Sequence, residues 1–172
     1  DRLNPTPYEN APVMHYGAGV RLVKDSSGLR FLASVSKAAL YAAEADKDEG
    51  TAVTVGTLVC PADLVAERST FTHRALDLAG TLYQDVTAAD GLSYDADGNA
   101  TVRVALVGID ETNYTRAFAA RTYIRYIKNG ETVYLYADYI AADHARSIAA
   151  VAKAALADIR TERDEAYAFA VE

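Results

Sequence analysis

The chain has 172 residues, 51% of them hydrophobic and 24% charged, with a net charge of −7 and a pI near 4.9. Its size and makeup are those of one ordinary globular domain, and at this length about 70% of the unfolded surface can be buried without a disulfide or structural metal. The acidic balance argues against a phosphate-tracking nucleic-acid binder and against docking on an anionic membrane.

No stretch approaches the roughly 18 consecutive apolar residues of a spanning helix. The start, Asp1-Arg2-Leu3-Asn4-Pro5, lacks the charged-then-apolar order of a signal peptide, as in a cytosolic chain or a mature or excised piece. Cys60 is the single cysteine, which excludes an internal disulfide and a multi-cysteine zinc site. Between Val59 and Pro61 it reads as a small core residue at a strand end.

Residues 1–16 hold Pro5, Pro7 and Pro12 and read as an extended linker, with a single module over 17–172. Apolar runs at Val20–Val23 and Leu29–Val35 flank Lys24-Asp25-Ser26-Ser27-Gly28, which predicts a hairpin. Lys37–Asp46 is Ala-rich, free of Pro and Gly, and ends in the polar run Asp46–Gly50, which predicts a short helix closed by glycine. The Val- and Thr-dense stretch Thr51–Cys60 predicts a central strand stopped by Pro61. From Ala62 to Ala89 helical spacing appears in patches, interrupted by Gly80 and threonines. Tyr94–Asn99 reads as a turn into a half-buried strand at Thr101–Ile109, with Val102, Val104, Leu106 and Gly108 on one face.

The clearest signal lies between Phe118 and Ile140, where Asn129-Gly130 separates two alternating segments. A two-residue turn sets Lys128 opposite Glu131, Arg125 opposite Tyr134, Tyr123 opposite Tyr136 and Arg121 opposite Asp138. One face is then Arg121, Tyr123, Arg125, Ile127, Thr132, Tyr134, Tyr136 and Asp138. The other, from Ala120 through Ile124 and Tyr126 to Val133, Leu135 and Ala137, is more apolar and is the natural core side.

Asp143 reads as the cap of a helix in which Ile148, Val151, Ala152, Ala155, Leu156 and Ile159 form one apolar stripe. Alternation of Tyr167, Phe169 and Val171 suggests a final strand. Strands linked by hairpins, with helices inserted between them, predict an α+β domain: a mainly antiparallel sheet with the C-terminal amphipathic helix packed on it. A β-sandwich with inserted helices is the alternative.

The segments Gly17-Ala18-Gly19-Val20-Arg21, Gly28-Leu29-Arg30-Phe31, Gly56-Thr57-Leu58-Val59-Cys60-Pro61-Ala62-Asp63, Ala119-Ala120-Arg121-Thr122-Tyr123-Ile124 and Arg146-Ser147-Ile148 resemble a module that recurs in large secreted and cell-surface proteins of Gram-positive gut and rumen bacteria. The resemblance spans Gly17 to Leu156. It implies a secreted or cell-surface multidomain parent that handles polysaccharides or adheres to surfaces, with neighbouring domains as partners, and it carries over no catalytic residue.

The Tyr and Arg face of the hairpin is the candidate ligand site, because flat rings pack on sugar C–H faces while Arg and Asp hydrogen-bond hydroxyls. Tyr123, Tyr134 and Tyr136 would be the platform and Arg121, Arg125 and Asp138 the polar contacts. In the rival arrangement the C-terminal helix covers this face and Arg121 pairs with Asp138. The absence of Trp weighs against sugar binding, although twelve tyrosines leave many possible platforms.

Asp95, Asp97 and Asn99 alternate oxygen side chains as calcium loops do, but Leu106 stands where the closing Glu is needed, so a plain turn is the better reading. His15, His73 and His144 lack HExxH spacing and read as surface histidines. No G-x-S-x-G elbow, P-loop or dinucleotide fingerprint is present. Some carboxylate pair always lies at glycosidase spacing among fifteen aspartates and nine glutamates, so their presence supports no mechanism. These features predict a non-catalytic carbohydrate-binding module without metal or cofactor, or alternatively a structural or protein-interaction module. Exposure of Tyr123, Tyr134 and Tyr136 separates the two.

Overall fold

The computed structural model describes residues 10–22, 27–88 and 91–162, with side chains to 157. The chain folds as an α+β domain of two antiparallel sheets with inserted helices. In the first sheet β3 (Gly28–Ser36) is central. β6 (Asn99–Leu106) pairs along one edge, and β1 (Val13–Met14) and β2 (Gly19–Arg21) lie end to end along the other. The expected first hairpin is β2–β3. The end of the Pro-rich lead-in belongs to the fold, since Met14 is buried and Val13 pairs with Ser34.

The second sheet runs β5 (Gln84–Thr87), β4 (Thr54–Pro61), β7 (Phe118–Lys128), β8 (Glu131–Tyr136), with β9 (Ala145–Arg146) continuing the β8 edge of β7. Alternation on β3 and β6 sends Leu29, Phe31, Ala33, Val35, Val102, Val104 and Leu106 inward, where they meet Val55, Val59, Ala120, Ile124 and Tyr126 of the second sheet in one core. A second core on the far side of that sheet holds Leu58, Cys60, Val65, Phe71, Leu76, Ala119, Tyr123 and Tyr139. β4 is therefore buried on both faces, which is why it reads as a continuous apolar run. Cys60 is 2% exposed and its thiol is pushed up to about 12 by burial, the small core residue expected.

Helix α1 spans Lys37–Asp46, capped by the Ser36 hydroxyl accepting from the Ala39 N–H. Its C-terminal end grips the β7–β8 turn. Asn129 (φ 52°) and Gly130 (φ 75°) both take the left-handed conformation of a two-residue hairpin turn, and the Asp48 carboxylate accepts their backbone N–H groups at 2.8 Å each. Asp46 accepts from the Tyr126 hydroxyl at 2.7 Å and pairs with Lys128. Gly130 and Asn129 N–H groups hold the Asp48 carboxyl below the usual carboxylate range, and Lys128 and the Tyr126 hydroxyl do the same for Asp46. A carboxyl depressed in the folded state contributes stability above its unfolded pKa, about 3.9, and loses it as pH falls. Thermal melting should therefore drop on acidification through this range, and an Asp46→Asn, Asp48→Asn variant, less stable at neutral pH, should show a smaller acid-induced drop.

The C-terminal region departs from the expected single helix. Asp143 lies inside a short turn, α3 (Ala141–His144), followed by β9, and the long helix α4 (Ile148–Glu162) begins later with the Ser147 hydroxyl accepting from the Ala150 N–H. Pairing of Ala145–Arg146 with β7 interrupts the helix. Ile148 is buried and Val151 packs against the first core, while Ala155 of the expected stripe is exposed. The Ile159 side chain and the expected strand at Tyr167, Phe169 and Val171 lie outside the described residues. No described helix is long and apolar enough to cross a membrane.

Candidate functional site

The hairpin register is the expected one from Lys128↔Glu131 to Tyr123↔Tyr136, so Tyr123, Arg125, Tyr134 and Tyr136 share a face. Pairing with β8 stops there, and the expected Arg121–Asp138 opposition is not part of the ladder. The face is covered by the segment that follows β4, and among the described residues none of the C-terminal helix packs on it. Pro61 ends β4 and leads into 3-10 turns at Ala62–Leu64 and Arg68–Thr70. The Thr72 hydroxyl then accepts from the Ala75 N–H and starts α2 (His73–Ala79), which Gly80 closes. Phe71, His73 and Leu76 are thereby laid on the sheet.

Three of the six expected ligand-binding side chains are consequently inside the protein: Tyr123 is 0% exposed, Asp138 2% and Arg121 3%. Tyr134, Tyr136 and Arg125 are half-buried at the rim. Arg121 donates to the carbonyls of Ala137 (2.7 Å), Arg68 (2.9 Å) and Phe71 (2.8 Å), and its guanidinium lies 4.8 Å from the Tyr136 ring centre. Asp138 pairs with Arg68, and accepts from the Tyr139 N–H at 2.8 Å. An open row of rings is therefore not what this hairpin presents.

A linked polar cluster forms beneath the cover. The Tyr123 ring lies across Gly56, where a Cβ would stand 2.3 Å from its hydroxyl oxygen, and the hydroxyl donates to Asp85 Oδ1 at 2.6 Å. Asp85 Oδ2 is 2.8 Å from His73 Nε2, and His73 Nδ1 is 2.6 Å from the Tyr136 hydroxyl, which also accepts from the His73 backbone N–H at 3.0 Å. A proton on His73 Nε2 donates to Asp85, and the hydroxyl of Tyr136 completes the contact at Nδ1. The His73 ring stacks on Tyr134, centres 4.1 Å apart and planes 16° from parallel, so one face of that ring is taken as well. Four elements, α2, β5, β7 and β8, meet in this cluster.

Burial of His73 (8% exposed) and His144 (1%) corrects the expectation of surface histidines; His15 is half-buried. His73 is the first residue of α2 and its ring fills the space over the hairpin tyrosines. His144 Nδ1 accepts from the Ile140 N–H at 3.0 Å, closing the α3 turn. The sequence reading missed Gly56, His73 and Asp85. The available signal was a glycine inside a β-branched strand, a mark of close approach by another group.

Burial pushes the hydroxyls of Tyr136 and Tyr139 up to about 12, and burial with the neighbouring Asp85 raises Tyr123 further. A hydrogen bond to Asp77 carries Tyr83 to about 12. An acid whose folded pKa exceeds its unfolded value, about 10 for Tyr, contributes stability that is lost as pH rises from the unfolded toward the folded value. Alkaline unfolding should therefore set in between about pH 10 and 12, and near-UV absorbance should show these phenols ionising only as the chain opens.

The Asp95 loop is the plain turn expected: Asp95 Oδ1 accepts the N–H groups of Asp97 (2.9 Å) and Asn99 (3.0 Å). Among the described residues no group of three or more His, Cys, Asp or Glu is placed to hold a metal. Beside this loop an open groove of about 510 Å³ runs along β6, lined among others by Leu92, Tyr94, Asp95, Asn99, Thr101 and Arg103. Compared with protein-family models, curated proteins and solved structures, the chain matches none.

Proposed function

We propose that the chain is a non-catalytic structural or protein-interaction module of a larger secreted or cell-surface protein. The observation that carries this reading is the closure of the tyrosine face: Tyr123, Tyr136, Arg121 and Asp138 have their polar groups engaged within the protein, under α2. Two further features support it. Both His73 ring nitrogens are occupied, and the Tyr136 phenol is held protonated by burial, so the Asp85–His73–Tyr136 line works as a lock between elements rather than as a base and nucleophile. The secreted setting rests on the resemblance of the strand and turn segments.

The test is a binding screen of the purified chain against plant and storage polysaccharides, with Tyr134→Ala run in parallel and its fold checked. This reading expects no retention by either protein. Retention of the parent that the folded variant loses would overturn it in favour of a sugar platform on the hairpin.

Carbohydrate binding remains as a second reading at a different place, the groove along β6. It is favoured by Tyr94, 36% exposed, standing beside the polar side chains of Asp95, Asn99 and Arg103. Retention lost in Tyr94→Ala and kept in Tyr134→Ala would select it.

A further inference from the structure

The outward face of the first sheet carries charge of the sign opposite to the chain as a whole, whose net charge is −7. Strand alternation sends Arg30 of β3 and Arg103 of β6 to solvent while Phe31 and Val104 enter the core. The register puts Gly19 and Ala105 directly opposite Arg30, Arg21 opposite Gly28, and Arg103 opposite Leu32. Arg21, Arg30 and Arg103 thus lie on one diagonal across three adjacent strands, with successive positions about 7–8 Å apart. Each is exposed, and among the described residues none is in an ion pair. Lys47, Arg68, Arg116 and Lys128, by contrast, each have an acidic partner.

The rest of the face favours a flat, extended ligand. Leu32, Ser34, Thr101 and Ala105 fill the outward face of β3 and β6 with no acidic side chain and no aromatic ring, Phe31 being turned into the core, while Tyr94 and Asp95 stand beside the other edge of β6. The Arg30 side chain lies down across Gly19, its Nε 3.6 Å from where a Cβ would be, so the surface stays low. On this face the strands themselves carry no ring to serve as a stacking platform for a sugar or a nucleobase. Guanidinium groups instead match carboxylates in paired hydrogen bonds. Two residues of an extended peptide span about 6.6–6.8 Å, close to the step of the diagonal.

We propose that this face docks an extended acidic polypeptide segment, with carboxylates at alternate residues seated on Arg21, Arg30 and Arg103. The inference rests on the reading of the chain as an interaction module and names its partner's chemistry. Electrostatic reach supports it: at about 0.1 M salt charges are screened beyond about 10 Å, so a ligand at this face feels the three arginines more than acidic groups on distant faces.

The experiment is fluorescence anisotropy of a labelled peptide alternating Asp and Ser, titrated with the full chain at about 50 mM salt and again at about 0.5 M. Saturable binding is expected, weakened by salt, and at least about tenfold weaker with an Arg21→Glu, Arg30→Glu variant whose melting temperature is unchanged. Peptide binding that the folded variant keeps would overturn the assignment of the face. Polygalacturonate and oligothymidylate are run in parallel. Binding of either without the peptide would overturn both this partner and the interaction-module reading. Silence from every probe would overturn the docking face and leave a purely structural module standing.

Discussion

Arg121→Met is expected to destabilise the folded chain by about 3–5 kcal/mol, because it removes a buried cation's hydrogen bonds from three backbone carbonyls at once. Those carbonyls, of Arg68, Phe71 and Ala137, belong to the covering segment and to the chain just beyond β8, so one guanidinium on β7 holds both against the sheet. Methionine matches the aliphatic stem but offers no donor, and each carbonyl left unpaired in a buried site carries its own desolvation cost. Urea denaturation gives the size of the effect. Native-state hydrogen exchange gives its place, with the amides of α2 expected to lose protection first. Arg121→Lys should recover only part of the loss, since a single ammonium cannot reproduce the fork. A change below about 1 kcal/mol for Arg121→Met would mean that packing of Phe71 and Leu76 alone holds the cover.

Gly56→Ala is the second large effect, at about 3 kcal/mol, an overpacking cost at the upper end of the usual range. The added Cβ would stand 2.3 Å from the Tyr123 hydroxyl oxygen and 2.5 Å from its ring carbon Cζ. Tyr123 is fully buried, with His73, Tyr134 and Tyr136 rings around it, so it has nowhere to move. Displacing it also breaks the hydrogen bond to Asp85 and so loosens β5 from the cluster. A double-mutant cycle with Tyr123→Leu checks the cause. If the clash with the ring is responsible, the Gly56→Ala cost shrinks in the Tyr123→Leu background; if the two costs simply add, the strain lies elsewhere in the strand.

How much of this was legible in the sequence differs from element to element. The Asn129-Gly130 turn determined a hairpin register that holds from Lys128↔Glu131 to Tyr123↔Tyr136, because a two-residue turn with both residues at positive φ fixes the alignment next to it, and only the distal Arg121–Asp138 pair fails to form. Helix α1 begins and ends at the expected residues, where a Ser36 cap and a polar run coincide with the limits of an Ala-rich stretch, but extended Lys47 closes it and not the expected glycine. The inward face of β6 was plain from its alternation at Val102, Val104 and Leu106, although the strand ends at Leu106 and leaves out the expected Gly108. The region Ala62–Ala89 was not legible. Its described part, to residue 88, consists of two 3-10 turns, one short helix and an edge strand, each too brief to display a period, and its place on the sheet is set by long-range partners such as Arg121 and Asp138.

That one unread region reverses the reading of the site. Alternation correctly separated a polar, aromatic face of the hairpin from an apolar one, but it cannot say whether the polar face meets water or a second layer. Rings and arginines suit both roles, because Tyr and Arg bury their apolar bodies readily when a partner exists for the polar end. Here the partners, Asp85, His73 and the carbonyls around Phe71, come from the segment whose position the sequence did not disclose. The long C-terminal helix misled for a similar reason. Its amphipathic stripe is real at Ile148 and Val151, but pairing of Ala145–Arg146 with β7 delays its start and directs it to the first core, away from the tyrosines.

The central claim is that the tyrosine face of the hairpin is closed by α2 and not presented to ligands. Residue-resolved hydroxyl-radical footprinting of the folded chain tests it most directly, with Tyr41 (62% exposed) and Tyr94 (36%) as internal standards. Tyr41 and Tyr94 are expected to be modified readily, Tyr134 and Tyr136 slowly, and Tyr123 not at all. Modification of Tyr123, Tyr134 and Tyr136 at the rate of Tyr41 would contradict it and return the hairpin to its role as an open platform.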